Sequence, residues 1–434
     1  MRTEQHTLDN GLTVLLRESR HTPVATFWVW YRVGSRNEVP GITGIAHWAE
    51  HMLFKGSRAF PKGEIDTQIA RNGGLMNGFT WLDFTTFFET LPADRIDLGL
   101  RIESDRMVNA LFDPEEVEPE RMVIISERQG AENDPTFLLS EEVVGAAFRV
   151  HPYHHDTIGD MCDLETMSHR DLWQHYQTYY GPDNAIVVAV GDFDGSSMLA
   201  RIEDLFGPLP ARSNPRPVHR PEPPQRGERR VTLEGPGNTA YLQAAYHAPA
   251  AGEADFYPLT ILSTILTGAS GMNVFAPAPP NLSSRLYKAL VEAELAAGVS
   301  GFLWPTIDPF LYTISATVRA GRTLEEVEAA LDAEIDHLLA GPISQEELNT
   351  ALKQASAQFA YSSESVTNQG FWLGLSAVVA EDGWSDSFVD RLASVTLADV
   401  QRVAQEVLVR RNRTVGHYVP LGLNAVDQAV QEVE

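Results

Sequence analysis

The stretch from residue 44 to residue 57 reads GIAHWAEHMLFKGS. Apolar residues recur at helical spacing over residues 45–55, and a glycine on each side marks where a helix would begin and end. His47 and His51 are four residues apart, so their imidazoles project from one face of that helix, with Glu50 beside them. This H-x-x-E-H order is a metallopeptidase signature. The stretch therefore predicts a helix that carries part of a zinc site and a candidate base for peptide hydrolysis.

A third metal ligand must come from elsewhere, because catalytic zinc usually has three protein ligands and keeps a fourth position for water. The best candidate is Glu127, in a segment over residues 115–129 that reads as a helix. Glu120 lies seven residues earlier and so on the same helical face, where it could orient a histidine ligand through a hydrogen bond. The alternative interpretation of both carboxylates is a solvated helix face.

Composition limits the classes of function. A chain of 434 residues suggests two domains, and the net charge of −26 argues against nucleic acid or an anionic membrane as a partner. The single cysteine, Cys162, excludes an internal disulfide framework. We find no 18-residue apolar stretch and no basic-then-apolar leader, which predicts a soluble cytoplasmic protein, or a periplasmic one if a leader was removed.

The two halves of the chain contain similar segments. Asp171 and Asp399 occupy matching positions near the start of a predicted helix, and Asn184 and Asn412 precede matching apolar strands; both pairs are separated by 228 positions. These matches indicate a duplicated domain.

Seven prolines lie between residues 208 and 224, a composition that favours an extended connector. We therefore predict an N-terminal zinc-binding domain at 1–207, a proline-rich linker at 208–228 and a homologous C-terminal domain without a zinc site at 229–434. The expected fold class is α+β, with two α/β-roll domains of about 210 residues, each a mostly antiparallel sheet packed with helices.

Local patterns predict several elements of the first domain. Residues 7–16 read as a β-hairpin, residues 24–31 as a half-buried strand and residues 185–190 as a central buried strand. Residues 98–110 have the apolar spacing of a helix.

The opening stretch resembles the zinc helix of the pitrilysin, insulysin and mitochondrial processing peptidase family. Further segments resemble that family in both halves of the chain: GGLMNGFT at 73–80, HPY at 151–153, YYGPDN at 179–184 and SSRLY at 283–287. The resemblance implies one Zn²⁺ per chain, bound by His47, His51 and Glu127, because Glu127 lies at the family's usual distance after the second histidine. It also implies that Glu50 is the general base and that Glu120 matches a supporting acidic position of the family.

Residues 77–81 have the small, β-prone character of a strand edge, which can pair with the main chain of an extended peptide. Related enzymes bind substrate in this way, so we predict that Asn77, Gly78 and Phe79 bind substrate. The alternative interpretation is an ordinary turn and strand, with Phe79 in the core.

The second half departs from the family pattern. Active single-chain or self-assembling members of the family that this chain resembles carry an arginine and a tyrosine, seven residues apart after the Ser-Arg-Leu segment, which stabilise the oxyanion. Val291 and Gly298 stand at those positions and have no side-chain donor, so the chain alone lacks this stabilisation. We therefore expect a heterodimer, in which a homologous subunit without the H-x-x-E-H motif supplies the arginine and tyrosine.

Two other hypotheses stay open at this point. The chain could be a self-sufficient homodimeric peptidase in which Arg285 or Tyr287 replaces the missing donors. It could also be a non-catalytic structural subunit like the core proteins of a respiratory complex, although such a scaffold has no need for the complete set of metal-binding and basic residues.

Overall fold

The computed structural model describes residues 3–212, 215, 217–269, 282–380 and 383–422. The chain forms two compact units, each built from three segments. The first unit contains Met1–Gln129, His155–Arg220 and Ser363–Ser385, and the second contains Gly130–His154, Pro221–Ser362 and Asp386–Glu434. Each unit thus includes a segment from the other half of the sequence, and the domain boundaries predicted from sequence stay a prediction.

The first unit contains a six-stranded sheet with the order β1-β2-β6-β3-β5-β4. Its strands are β1 (Glu4–Thr7), β2 (Thr13–Glu18), β3 (Val24–Tyr31), β4 (Leu75–Thr80), β5 (Thr85–Pro92) and β6 (Ala185–Gly191). All neighbours are antiparallel except β2 and β6, which are parallel. The predicted hairpin is confirmed as the β1–β2 pair.

The second unit contains a five-stranded sheet with the order β7-β11-β8-β10-β9. Its strands are β7 (Arg229–Gly235), β8 (Tyr241–Ala248), β9 (Ala296–Leu303), β10 (Phe310–Val318) and β11 (Arg413–Pro420). Only β7 and β11 are parallel. Without β1, the first sheet has the same order and the same strand directions, which confirms two domains of one α+β design with mostly antiparallel sheets.

The described residues form the following α-helices, several of which pack on these sheets. In chain order they are α1 (Ile45–Leu53), α2 (Glu64–Arg71), α3 (Asp97–Asn109), α4 (Pro114–Ala131), α5 (Pro135–Ala147), α6 (Met161–Thr166), α7 (His169–Tyr179), α8 (Gly195–Phe206), α9 (Phe256–Thr267), α10 (Leu324–Ala340), α11 (Gln345–Tyr361), α12 (Val366–Val379), α13 (Trp384–Ala393) and α14 (Leu397–Val407). The predicted helices near residues 45–55, 98–110 and 115–129 are confirmed as α1, α3 and α4. None of the helices in the described part of the chain has the length and apolarity that a membrane span requires.

The repeated residues form the same hydrogen bonds in both units. Asp171 and Asp399 each complete a capping box at the start of a helix, α7 and α14 respectively. Asn184 and Asn412 then each donate a side-chain hydrogen bond to a carbonyl near the end of that helix, at 2.9 and 3.0 Å. The 228-residue match therefore reflects one helix-to-strand connection built twice.

Strand β3 differs from the sequence prediction of a half-buried strand, which is wrong. Seven of its eight residues are buried, because α12 covers the face that the prediction left to solvent. The helix approaches closely because it presents glycines: a Cβ atom on Gly370 would lie 2.4 Å from Trp28 Nε1, and one on Gly374 would lie 2.0 Å from Trp30 Nε1. Periodicity in the sequence does not predict this contact, because α12 follows β3 by more than 300 residues.

We expect Gly374→Ala to lower the free energy of unfolding by about 3 kcal/mol, because the added methyl group overlaps the buried Trp30 indole and α12 must move away. The measurement is urea unfolding followed by tryptophan fluorescence. Gly130→Ala is the matched control, since Gly130 is also helical and has open space where its Cβ would lie. Equal unfolding midpoints for Gly374→Ala and the wild type would contradict the close packing.

Candidate metal centre

Helix α1 is anchored at its N-terminus by a buried carboxylate. Glu38 accepts hydrogen bonds from the backbone N–H groups of Gly44 and Ala46, at 2.8 and 2.9 Å, which are orphan donors at a helix start. His155 Nε2 donates to the same carboxylate at 2.8 Å. Gly44 has a φ of 84°, and a Cβ there would lie 2.4 Å from the carbonyl oxygen of Ile158, so only glycine fits. These contacts fix where the histidine helix begins.

Helix α4 brings the third predicted ligand. Its residues Val117, Glu120 and Ile124 are buried, which places one helical face against the core. Glu127 follows Glu120 by seven residues, and its side chain is 44% exposed. Glu120 therefore faces the core, and Glu127, seven residues later on the same face of α4, lies at the surface.

The structure brings the predicted ligands together. Glu127 Oε2 lies 3.9 Å from His47 Nε2 and 3.6 Å from His51 Nε2, and one ligand atom from each of the three residues falls within 4.8 Å of the others. Two atoms bound at about 2.1 Å to one tetrahedral zinc ion lie roughly 3.4 Å apart. The two distances from Glu127 are close to this value, and the approach of all three ligand atoms to within 4.8 Å is compatible with one shared zinc ion after the side chains adjust.

The two histidines have different electrostatic surroundings. Burial, aided by the neighbouring charge of His51, lowers the pKa of His47 to about 4, so its imidazole is neutral near pH 7 and has a lone pair for a metal. Burial also acts to lower the pKa of His51, but the hydrogen bond to Glu120 and the charges of Glu50 and Glu127 outweigh it, and the pKa of His51 is raised. A cation bound beside His51 would be stabilised by the neighbouring carboxylates of Glu50, Glu120 and Glu127.

Glu50 lies within the same cluster and is buried, with 6% of its surface exposed. Its carboxylate accepts a hydrogen bond from the Thr80 hydroxyl at 2.8 Å, which ties α1 to the end of strand β4. Burial raises the pKa of Glu50 to about 7, although the Thr80 hydrogen bond opposes the shift. A carboxylate with a near-neutral pKa beside a group of candidate metal ligands has the properties of a general base.

Glu120 is hydrogen-bonded to His51. His51 Nδ1 donates to Glu120 Oε1 at 2.8 Å, so Nε2 is the nitrogen left to face Glu127. Burial acts to raise the pKa of Glu120, but its hydrogen bonds with His51 and Lys55 hold it below the ordinary value. Sequence reasoning missed Lys55, whose only signal was its position one helical turn after His51.

The predicted substrate residues lie on β4, the last strand of the first sheet. Asn77 is exposed and its side-chain oxygen accepts the backbone N–H of Gly78 at 2.9 Å. A Cβ on Gly78 would lie 2.7 Å from the Phe87 ring, so glycine is required there. The Phe79 ring packs on other aromatic rings, among them Trp30 with centroids 6.4 Å apart, so any contact of Phe79 with a peptide would be through its main chain.

The two positions without donors lie in the second unit. Val291 is in the π-helical turn Tyr287–Glu292, and Gly298 is on β9, the last strand of the second sheet. Arg285, considered as a substitute donor, is bound by Glu347 at 2.7 Å and by Glu334 at 3.4 Å. Its guanidinium is thus occupied by carboxylates within its own unit.

A second metal site does not form among the other histidines of the described residues. His151 Nε2 faces Asp308 at 3.1 Å, and His154 Nδ1 bonds to the His151 carbonyl at 3.0 Å. His155 is engaged by Glu38. In the part of the chain that the structure describes, His47, His51 and Glu127 are the one group of three such side chains close enough to hold an ion.

Two domains of one α+β design, with an H-x-x-E-H helix in the first and a carboxylate from a later helix beside it, define the class of inverted-motif metallopeptidase folds. The family models agree: "Insulinase (Peptidase family M16)" matches residues 13–161 and "Peptidase M16 inactive domain" matches residues 166–355. The chain belongs to peptidase family M16.

Individual relatives cover nearly the whole chain. A protein named zinc protease PqqE from Helicobacter pylori is 29% identical over 93% of this chain and 89% of that protein. The mitochondrial-processing peptidase subunit beta of Blastocladiella emersonii is 26% identical over 95% of this chain and 87% of that protein. The crystal structure of a protease from Helicobacter pylori superimposes with a TM-score of 0.90 at 27% identity, covering 96% of this chain and 99% of that one.

The anchor at the start of α1 makes stability depend on pH. Burial acts to lower the pKa of His155, but the hydrogen bond and charge of Glu38 raise it above the ordinary 6.5. The folded chain therefore keeps this proton to a higher pH than the unfolded chain does, and the stabilisation is lost as pH rises through the folded pKa. We expect the difference in unfolding free energy between the metal-free wild type and His155→Gln to be largest below pH 6.5 and to shrink above it.

Denaturant unfolding at a series of pH values measures this difference. His21→Gln serves as the control, because His21 is exposed. A wild-type advantage over His155→Gln that stays constant or grows with rising pH would be inconsistent with the assigned ion pair.

Proposed function

We propose that this chain is the zinc-bearing subunit of a metalloendopeptidase that hydrolyses unfolded peptides in a chamber formed with a second, homologous subunit. The observation that carries the proposal is the approach of His47, His51 and Glu127 to within 4.8 Å, with the buried Glu50 in the same cluster. The names of the relatives, a zinc protease and a processing peptidase subunit, support the same chemistry.

Each side chain has a defined task in this proposal. His47, His51 and Glu127 hold the ion, and Glu120 keeps His51 in the tautomer that leaves Nε2 for binding. A bound zinc ion supplies Lewis acidity and brings the pKa of its water towards neutrality. Glu50 takes the proton of the attacking water and delivers it to the leaving amine.

The substrate main chain would pair with strand β4. The outermost position of β4 in its sheet supports this, as does the hydrogen bond from Thr80 at its end to Glu50, which connects the strand to the base. Asn77, Gly78 and Phe79 would then contact an extended peptide mainly through their backbone groups.

The need for a partner rests on the second unit. Val291 and Gly298 have no side-chain donors for a developing oxyanion, and Arg285 is held by Glu347 and Glu334. That engagement disfavours a homodimer that relies on Arg285. A homologous subunit that lacks the H-x-x-E-H motif and carries the arginine and tyrosine would complete the site. The complete set of candidate metal ligands argues against a purely structural subunit.

We expect the purified chain to bind one zinc ion, and Glu127→Gln to weaken that binding by roughly 100-fold, since an amide is a poorer ligand than a carboxylate. Zinc affinity is measured by competition with a chromophoric chelator. Glu115→Gln, an exposed change at the start of the same helix, serves as the matched control and leaves the affinity unchanged. Equal affinities for Glu127→Gln and the wild type would remove Glu127 from the site.

We expect low peptidase activity from the chain alone and a large increase when the homologous subunit is added, because the oxyanion donors then become available. The measurement is kcat/KM on an unfolded fluorogenic peptide, with the complex isolated by gel filtration.

In the complex, we expect Glu50→Gln to retain zinc and to lose about 10²- to 10⁴-fold in rate. Full activity of the partner-free chain would refute the requirement for a partner, and an active Glu50→Gln complex would refute the base.

A further inference from the structure

The carboxylate of Glu120 has one partner on α1 and one just after its end, and only the first is a proposed metal ligand. Oε1 accepts from His51 Nδ1 at 2.8 Å, and Oε2 forms an ion pair with Lys55 Nζ. The Glu120 side chain is 5% exposed, so water contributes little to its solvation. A buried carboxylate needs both oxygens satisfied, and Lys55 satisfies the second.

Lys55 is held in place by the way α1 ends. Its backbone N–H donates to the carbonyl of Met52 at 3.0 Å, which continues the last helical turn beyond Leu53. The next residue, Gly56, has a φ of 115°, and a Cβ there would lie 2.8 Å from the Lys62 backbone nitrogen. The chain therefore turns sharply after Lys55, which leaves the lysine one turn beyond His51 with its side chain only 25% exposed.

The ion pair also joins two helices that must be in register. His51 lies in the last turn of α1 and Lys55 just after that helix ends, whereas Glu120 comes from α4, two turns before Glu127. Glu120 and Glu127 are about 10.5 Å apart along the axis of one helix. A displacement of α4 at Glu120 therefore displaces Glu127 by about the same amount. Contacts that hold Glu120 therefore also determine where Glu127 meets the histidines.

We propose that Lys55 is a positioning residue of the metal centre. By holding Oε2 of Glu120, its ammonium group directs Oε1 towards His51 and keeps α4 in the register that places Glu127 beside His47 and His51. This inference rests on the proposed zinc function and adds to it a residue that does not itself contact the ion.

The chain contains a matched comparison for an ordinary surface ion pair. Lys62 Nζ lies 2.5 Å from Glu116 Oε2, also on α4 and four residues before Glu120. The Lys62 side chain is 59% exposed, and the described residues place no histidine on Glu116. Exposed pairs of this kind contribute little, so the Lys62 pair separates a specific effect at Lys55 from the general loss of a lysine that pairs with a glutamate of α4.

The test measures zinc dissociation constants and, separately, the unfolding midpoints of the metal-free chain. The variants are Lys55→Met, Lys55→Arg, Lys62→Met, Glu120→Gln and the double variant Lys55→Met/Glu120→Gln. We expect Lys55→Met to weaken zinc binding by about 10- to 100-fold. Lys55→Arg should retain most of the wild-type affinity, and Lys62→Met should change the affinity by less than about threefold. Because Lys55 acts through Glu120, the double variant binds zinc no more weakly than Glu120→Gln alone.

Several results would overturn the inference. Wild-type zinc affinity in Lys55→Met would do so, and so would additive losses in the double variant. A lower unfolding midpoint of metal-free Lys55→Met with an unchanged zinc dissociation constant would assign Lys55 a purely structural role. Absence of zinc binding by the wild type is a distinct outcome, since it overturns the proposed function itself and the inference with it.

Discussion

The hydrogen bond between Glu120 and His51, near the end of α1, connects the two helices that provide the candidate metal ligands. Helical spacing alone places His47, Glu50 and His51 on one helix, but the third candidate ligand comes from α4 and has no covalent reason to lie opposite them. The buried carboxylate of Glu120 joins α4 to His51 and Lys55. At the other end of α1, Glu38 and His155 fix where the helix begins. Together these contacts turn a sequence motif into a three-residue cluster of the right size for one ion.

Duplication gives the two units the same strand arrangement but different candidate site residues. Both units use the same order and direction of five strands, and a capping box and an asparagine connect α7 to β6 in the first unit and α14 to β11 in the second. The first unit carries the histidine helix, whereas the second has Val291 and Gly298 where a donor pair would stand in an active relative. One design thus serves two roles, and the proposed partner restores what the second unit lacks.

Much of the fold was predictable because its signals are local. The histidine helix, the first hairpin and the apolar strand β6 follow from periodicity and turn residues within a dozen positions. Distance along the chain, combined with the family resemblance, also led to Glu127, which the structure brings beside the histidines. The misses are all long-range. Coverage of β3 by α12, the support of Glu38 by His155 and the ion pair of Lys55 join segments far apart in sequence, and no local pattern encodes which distant side chain arrives.

We propose that this chain assembles a single zinc site from α1 and α4. The decisive measurement is a crystal structure of the zinc-loaded chain, with anomalous diffraction collected on both sides of the zinc absorption edge. We expect one strong anomalous peak in contact with Nε2 of His47, Nε2 of His51 and the carboxylate of Glu127. A peak at other side chains, such as His151 and Asp308, or no peak at the three predicted ligands, would contradict it.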